Sequence, residues 1–177
     1  MEIKITILKE FFENPHKEFH IRELARILKT NHTKIRNHLN KLVKEKYLEK
    51  RKDKLYSLYK AKINKKFLNL KLYYNLEKLR NSKIIEDLKE FYDLPTIILF
   101  GSYSKAIDDD KSDIDLFIIS NSKKEFNTKK HKKVLKKEIN IFLHSKKEFE
   151  NLKKNSKELI NSISNGIVLS GQLEVIK

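Results

Sequence analysis

The stretch TIILFGSYSKAIDDDKSDIDLFIIS, residues 96–120, decides how this chain is read. Thr96 to Phe100 is an apolar, β-favouring run that stops at Gly101-Ser102, the pattern of a buried strand closed by a turn. Polar residues follow, and then a second strand in which Asp113 and Asp115 alternate with Ile114, Leu116 and Ile118. Side chains alternate across a strand, so both carboxylates take one face and the aliphatics the other. Two carboxylates buried bare would repel each other and lose their hydration, so this face belongs to water or to a cation. Oxygen ligands at this spacing suit Mg²⁺, which takes one or two carboxylates together with substrate phosphate and water. The turn supplies the other half of the chemistry. Gly101 lets the backbone approach a ligand closely and Ser102 adds a hydroxyl; a helix beginning here would turn its free N–H groups toward a triphosphate. Only three glycines occur in 177 residues, which makes one placed directly after a buried strand informative.

Gly-Ser-Tyr-Ser-Lys followed by Ser-Asp-Ile-Asp-Leu resembles the DNA polymerase beta superfamily of nucleotidyltransferases in its minimal form. The resemblance implies a mixed sheet of about four to five strands backed by helices, binding a nucleoside triphosphate and two Mg²⁺ ions. It implies that Gly101 and Ser102 hold the β- and γ-phosphates, that Asp113 and Asp115 hold the metals, and that Ser112 shapes the turn into the second strand. Lys105 stands where such proteins usually carry arginine and Ala106 where they carry glycine. Lys105 is expected to meet phosphate as a point charge, without bidentate geometry. A third carboxylate is expected on a neighbouring strand, for which KEINIFLH, residues 137–144, is the candidate. There Ile139, Ile141 and Leu143 point inward, and Glu138, Asn140 and His144 point the other way. Asparagine is no general base and is a weaker ligand for a hard cation. Either Glu138 is the third catalytic carboxylate, or the site has two carboxylates and reduced or lost catalysis. EINIFLHSKKEF also resembles a subgroup in which a winged helix precedes the transferase and Asn occupies this place.

Upstream, Ile3, Ile7, Leu8, Phe11 and Phe12 fall at helical spacing until Asn14-Pro15, where proline ends the run. Glu18-Phe19-His20 reads as extended, IRELARILK as a second helix, and Thr33 to Lys46 as a third with Ile35, Leu39, Leu42 and Val43 on one stripe. Tyr47 to Arg51 and Leu55 to Tyr59 alternate about Lys52-Asp53-Lys54, a hairpin signal. The whole resembles the winged helix-turn-helix of small prokaryotic transcription regulators. That resemblance implies DNA as a partner, with Thr33, Lys34, Asn37 and Lys41 on the helix entering the major groove. The hairpin, with Lys50, Arg51, Lys52 and Lys54, would straddle the phosphate backbone. A winged helix also serves in dimerisation and protein docking, and Arg36 is the one arginine of the third helix. From Asn64 to Asp93 the pattern is helical with a break at Asn81-Ser82; such a connector mediates a homodimer or seals one domain against the other. The expected class is α+β in two domains, a winged helix over 1–62 and a nucleotidyltransferase fold over 94–177, joined by a connector over 63–93.

Composition agrees with this division. Lys+Arg number 40 against 24 Asp+Glu, a net charge of +16, and 35 of the basic residues are lysine. Such a surplus points to a polyanion, nucleic acid first, although lysines also simply solvate a surface. A second concentration, eight lysines between Lys123 and Lys137, either steers an acceptor or forms a solvated helix face. The lack of cysteine excludes disulfides and thiolate zinc sites, and the six histidines show no metal-ligand spacing. Apolar runs fall short of the ~20 residues that span a bilayer, and the N-terminus does not read as a signal peptide; no membrane partner and a cytoplasmic location are expected. The function expected is Mg-dependent transfer of NMP from an NTP to an acceptor hydroxyl, by a domain tethered to a DNA-binding one. The alternative is a transcriptional regulator whose transferase domain is degenerate and senses nucleotide or dimerises.

Overall fold

The computed structural model describes residues 2–53 and 56–174. The expectations placed on Lys54, Leu55 and the Ile3 side chain fall outside the described residues. The chain divides into two units, 1–71 and 72–177.

In the first unit, α1 (Glu2–Glu13) is followed by β1 (Phe19–His20), α2 (Ile21–Ile27), α3 (His32–Lys44), β2 (Leu48–Asp53) and β3 (Tyr56–Ala61), and α4 (Lys65–Asn81) begins. The strands form an antiparallel sheet in the order β1-β3-β2, with Arg51 opposite Leu58 and Lys52 opposite Ser57. Asn31 caps α3, its side-chain oxygen accepting from the Thr33 N–H at 2.7 Å, which satisfies one of the orphan donors of a helix start. The apolar stripe read from the sequence is what α3 buries: Ile35, Leu39 and Leu42 are at most 3% exposed, while Thr33, Lys34, Asn37 and Lys41 face solvent. Phe11, Phe12, Phe19 and Tyr59 fill the rest of this core, Phe11 meeting Phe19 edge-on at 5.0 Å.

The second unit continues α4 and adds α5 (Ile84–Phe91), β4 (Thr96–Phe100), α6 (Gly101–Ser104), β5 (Ile114–Ile119), α7 (Lys129–Leu135), β6 (Ile139–His144), α8 (Lys146–Asn155), α9 (Lys157–Ser164) and β7 (Ile167–Ser170). Its sheet has the order β6-β5-β4-β7, with β5 and β6 parallel and β4 antiparallel to both neighbours. This is the mixed sheet backed by helices that the resemblance implies. Alternation sorts the strand residues into two layers. Ile97, Leu99, Ile114, Leu116 and Ile118 pack with Leu79, Ile84, Leu88 and Leu135, and Ile98, Phe100 and Phe117 pack with Phe149 and Ile163. The break at Asn81-Ser82 is real: the Ser82 hydroxyl donates to the Leu79 carbonyl at 2.7 Å, and Lys83 turns left-handed before α5 starts. Among the described residues, no helix is long and apolar enough to cross a membrane.

Candidate functional site

Three strands meet in register at one end of this sheet. Phe100, the last residue of β4, lies opposite Asp115 of β5, and Asp115 lies opposite Asn140 of β6. Gly101 follows Phe100 with φ +74°, a left-handed backbone that side chains disfavour. A Cβ here would overlap the Asp115 Oδ2 and lie 3.4 Å from its Cγ. Glycine is therefore the residue that lets the turn rest directly on the carboxylate. The chain then makes the single turn of α6, fastened by Ser104 Oγ donating to the Gly101 carbonyl at 2.9 Å and by the Ile107 N–H donating to Ser102 O at 3.1 Å. Lys105 is exposed just beyond it. Ala106, 1% exposed, has φ +55°, so the left-handed geometry persists where alanine replaces the resemblance's glycine.

Asp113 is exposed immediately before β5, and Asp115 is half-buried within it. Asn140 bridges them, its Nδ2 lying 3.0 Å from Asp115 Oδ1 and 3.3 Å from Asp113 Oδ2. Glu138 is placed differently. Its exposed carboxylate pairs with Lys132, and its carbonyl accepts from the Ile114 N–H at 2.9 Å. The side chain brought to the two aspartates is thus the asparagine. Among the described residues, no group of three or more His, Cys, Asp or Glu side chains is placed to hold a metal. The oxygen donors beside the Gly-Ser turn are the two carboxylates, a number that suits a Mg²⁺ ion completing its shell from phosphate and water, while Asn140 turns N–H donors toward them and supplies no ligand oxygen there.

The loop from α6 to β5 is held by a buried polar cluster that sequence reasoning missed. The Ser112 hydroxyl lies 2.8 Å from Asp109 Oδ1, which also accepts the Ser112 and Lys111 N–H groups at 3.0 and 3.1 Å. The Ser112 bond, aided by those N–H groups, holds the Asp109 carboxyl below its ordinary value. Lys137, with a side chain 7% exposed, donates to the Asp109 carbonyl and, at 3.0 Å, to the Ser112 carbonyl. Its ammonium lies 3.9 Å from Asp108 Oδ2. Asp108, 2% exposed, also accepts from Asn75 Nδ2 at 2.8 Å, and Asn75 reaches the Tyr103 carbonyl at 3.2 Å. Burial pushes the Lys137 amine below the usual lysine range, opposed by Asp108. Ser112 so shapes the turn into β5, with Asp109 and Lys137 as partners. One sequence signal was available: charged residues flank both strands that carry the site.

In the first unit, Thr33, Lys34, Asn37 and Lys41 of α3 and Arg51 and Lys52 of β2 are exposed. Arg51 is engaged, donating from Nε and Nη2 to the Glu18 carboxylate at 3.2 and 2.8 Å.

No curated protein and no solved structure matches the chain. A family model described as polymerase beta, nucleotidyltransferase matches residues 82–174, more than half of the sequence and all of the sheet that carries Gly101, Ser102, Asp113, Asp115 and Asn140. With that match laid over this geometry, the chain belongs to the polymerase beta nucleotidyltransferase family.

Proposed function

We propose that the second unit transfers a nucleoside monophosphate from an NTP to an acceptor hydroxyl, and that the first unit is a winged helix that binds duplex DNA. The packing of Gly101 against the Asp115 carboxylate supports the first half, because it brings the Gly-Ser turn beside the aspartate-bearing strand. Gly101 and Ser102 hold the β- and γ-phosphates, Lys105 adds positive charge beside them, and Asp113 and Asp115 hold Mg²⁺. When bound, Mg²⁺ neutralises charge on the phosphates and orients them. The acceptor hydroxyl oxygen attacks the α-phosphorus in line, the P–O bond to the β-phosphate breaks, pyrophosphate leaves and the hydroxyl proton passes to solvent. Asn140 fixes the rotamers of both aspartates by donating to them; it adds no negative charge. For the first unit, the support is a capped α3 with an exposed polar face beside a basic hairpin.

The test is incorporation of label from NTPs with Mg²⁺ present, by the native chain and by the Asp113→Ala/Asp115→Ala double variant. Incorporation by the native chain alone is expected, and equal background from both proteins overturns the transfer reading. Asn140 favours a second reading, in which the domain binds nucleotide without transferring it and serves a DNA-binding regulator. Saturable NTP binding by calorimetry, lost in the double variant and unaccompanied by incorporation, would select it. Asn140→Asp then asks whether a third carboxylate restores transfer.

A further inference from the structure

The first unit contains a second concentration of positive charge, of which the duplex reading uses only Lys50. A cleft of about 1000 Å³ runs between the start of α2, α3 and the β2-β3 hairpin; Arg22, Arg26, Arg36 and Lys50 line it, with the one carboxylate of the lining, Glu23, paired to Lys17. Arginine is scarce here: five of the 40 basic residues. The other two are tied down, Arg51 on Glu18 and Arg80 on Glu77. The three in the cleft are exposed, and no ion pair or side-chain hydrogen bond engages them among the described residues. Arginine's planar fork matches phosphate oxygens two at a time and stacks on flat rings, which lysine does not do. A lysine-rich chain that gathers its free arginines in one concavity is placing bidentate donors rather than bulk charge.

The rest of the lining names the ligand's other half. Tyr56 is 56% exposed, and its ring meets His20 edge-on at 5.6 Å, leaving an aromatic face beside the arginines. His32, four residues before Arg36, lies on the same face of α3 and also lines the cleft. Thr33, Lys34, Asn37 and Lys41, by contrast, do not line it. Most of the lining side chains are exposed, so this is an open trough and not an enclosing pocket of the kind that sequesters a small ligand. Phosphate forks beside an aromatic face in an open trough are the elements of a single-stranded nucleic-acid site. A duplex offers phosphates but keeps its base faces stacked and would leave Tyr56 without a partner.

We propose that this trough binds a single-stranded nucleic-acid segment, its phosphates on Arg22, Arg26 and Arg36 and an unstacked base on Tyr56. The proposal is independent of the transfer chemistry and of the duplex face of α3. Fluorescence anisotropy of the full chain tests it, using a labelled 12-nucleotide oligo(dT), a duplex of mixed sequence, and free NTP as competitor. Tyr56→Ala is expected to weaken oligo(dT) binding about tenfold, and Arg22→Lys/Arg26→Lys/Arg36→Lys to weaken it although charge is retained. Lys34→Ala/Lys41→Ala should leave it unchanged while weakening duplex binding. The conservative lysine variant guards against loss of fold, which circular dichroism checks in each protein. The proposal is overturned if oligo(dT) affinity stays within about twofold in both trough variants. It is equally overturned if duplex affinity falls in parallel with it, which would make the trough a duplex phosphate clamp. Displacement of oligo(dT) by stoichiometric NTP would also sink it, by making the trough a nucleotide site.

Discussion

Gly101 answers two constraints at once, a left-handed backbone and contact with the Asp115 carboxylate. Gly101→Ala is expected to cost about 1–2 kcal/mol in urea unfolding from the backbone alone. Displacing the carboxylate should lower any transfer rate about a hundredfold, as an ångström of misplacement does; unchanged kinetics with the stability loss would separate the turn from the chemistry. Lys137 is the cation inside the loop cluster. Lys137→Met leaves the Asp108 carboxylate buried without it, and a loss of about 3 kcal/mol is expected, read by the same unfolding curves. Asp109 gives the pH dependence. Its folded carboxyl titrates below the ordinary 3.8, so its stabilisation is complete above that value and is lost as pH falls through the lower, folded one. Ser112→Ala removes the largest cause of the shift, and the fall of melting temperature below pH 3.8 should flatten in that variant.

At the scale of elements, α8 shows what local sequence specifies by itself. Ser145 accepts from the Glu148 N–H at 3.2 Å, and Glu148 reaches back to the Ser145 N–H at 2.6 Å, a complete capping box. Ser145→Ala is expected to cost about 1 kcal/mol in denaturant unfolding. Signals of this range were legible: the buried stripe of α3, the break between α4 and α5, and the strand–turn–strand course around Gly101. What was not legible depends on register between distant strands. By alternation alone Glu138, just ahead of β6, and Asn140 within it fall on one face, and the pairing of Asn140 with Asp115 selects between them. A helix in the lysine run is one of the two readings of that stretch, but its anchor, a buried histidine, was not legible. His131 is 1% exposed, with Nδ1 3.0 Å from the Ser82 carbonyl and Nε2 3.1 Å from Asp87 Oδ2. A helix pinned by a polar side chain shows no apolar period to read.

For the whole molecule, the charge of +16 makes the proposed nucleic-acid binding a salt-dependent one. If Lys34, Lys41 and Lys52 each neutralise one phosphate of a duplex, affinity should fall about fortyfold between ~50 and ~200 mM salt. A flat salt response in anisotropy would remove the duplex reading, and a steeper one would bring further lysines into the contact. Parallel pairing gives the site a further property, one of timing. Asp115 and Asn140 sit on β5 and β6, whose parallel alignment requires residues 120–138, with α7 among them, to cross over first. Parallel strands cannot be joined by a tight hairpin, and contacts that close long loops form slowly. The pairing of Asn140 with Asp115 is therefore expected to form late, after the helices and the first unit's hairpin; pulse-labelled hydrogen exchange that protects β6 as early as β2 and β3 would overturn this. A chain emerging from synthesis would complete α3 and its neighbouring hairpin before Asn140 reaches Asp113 and Asp115.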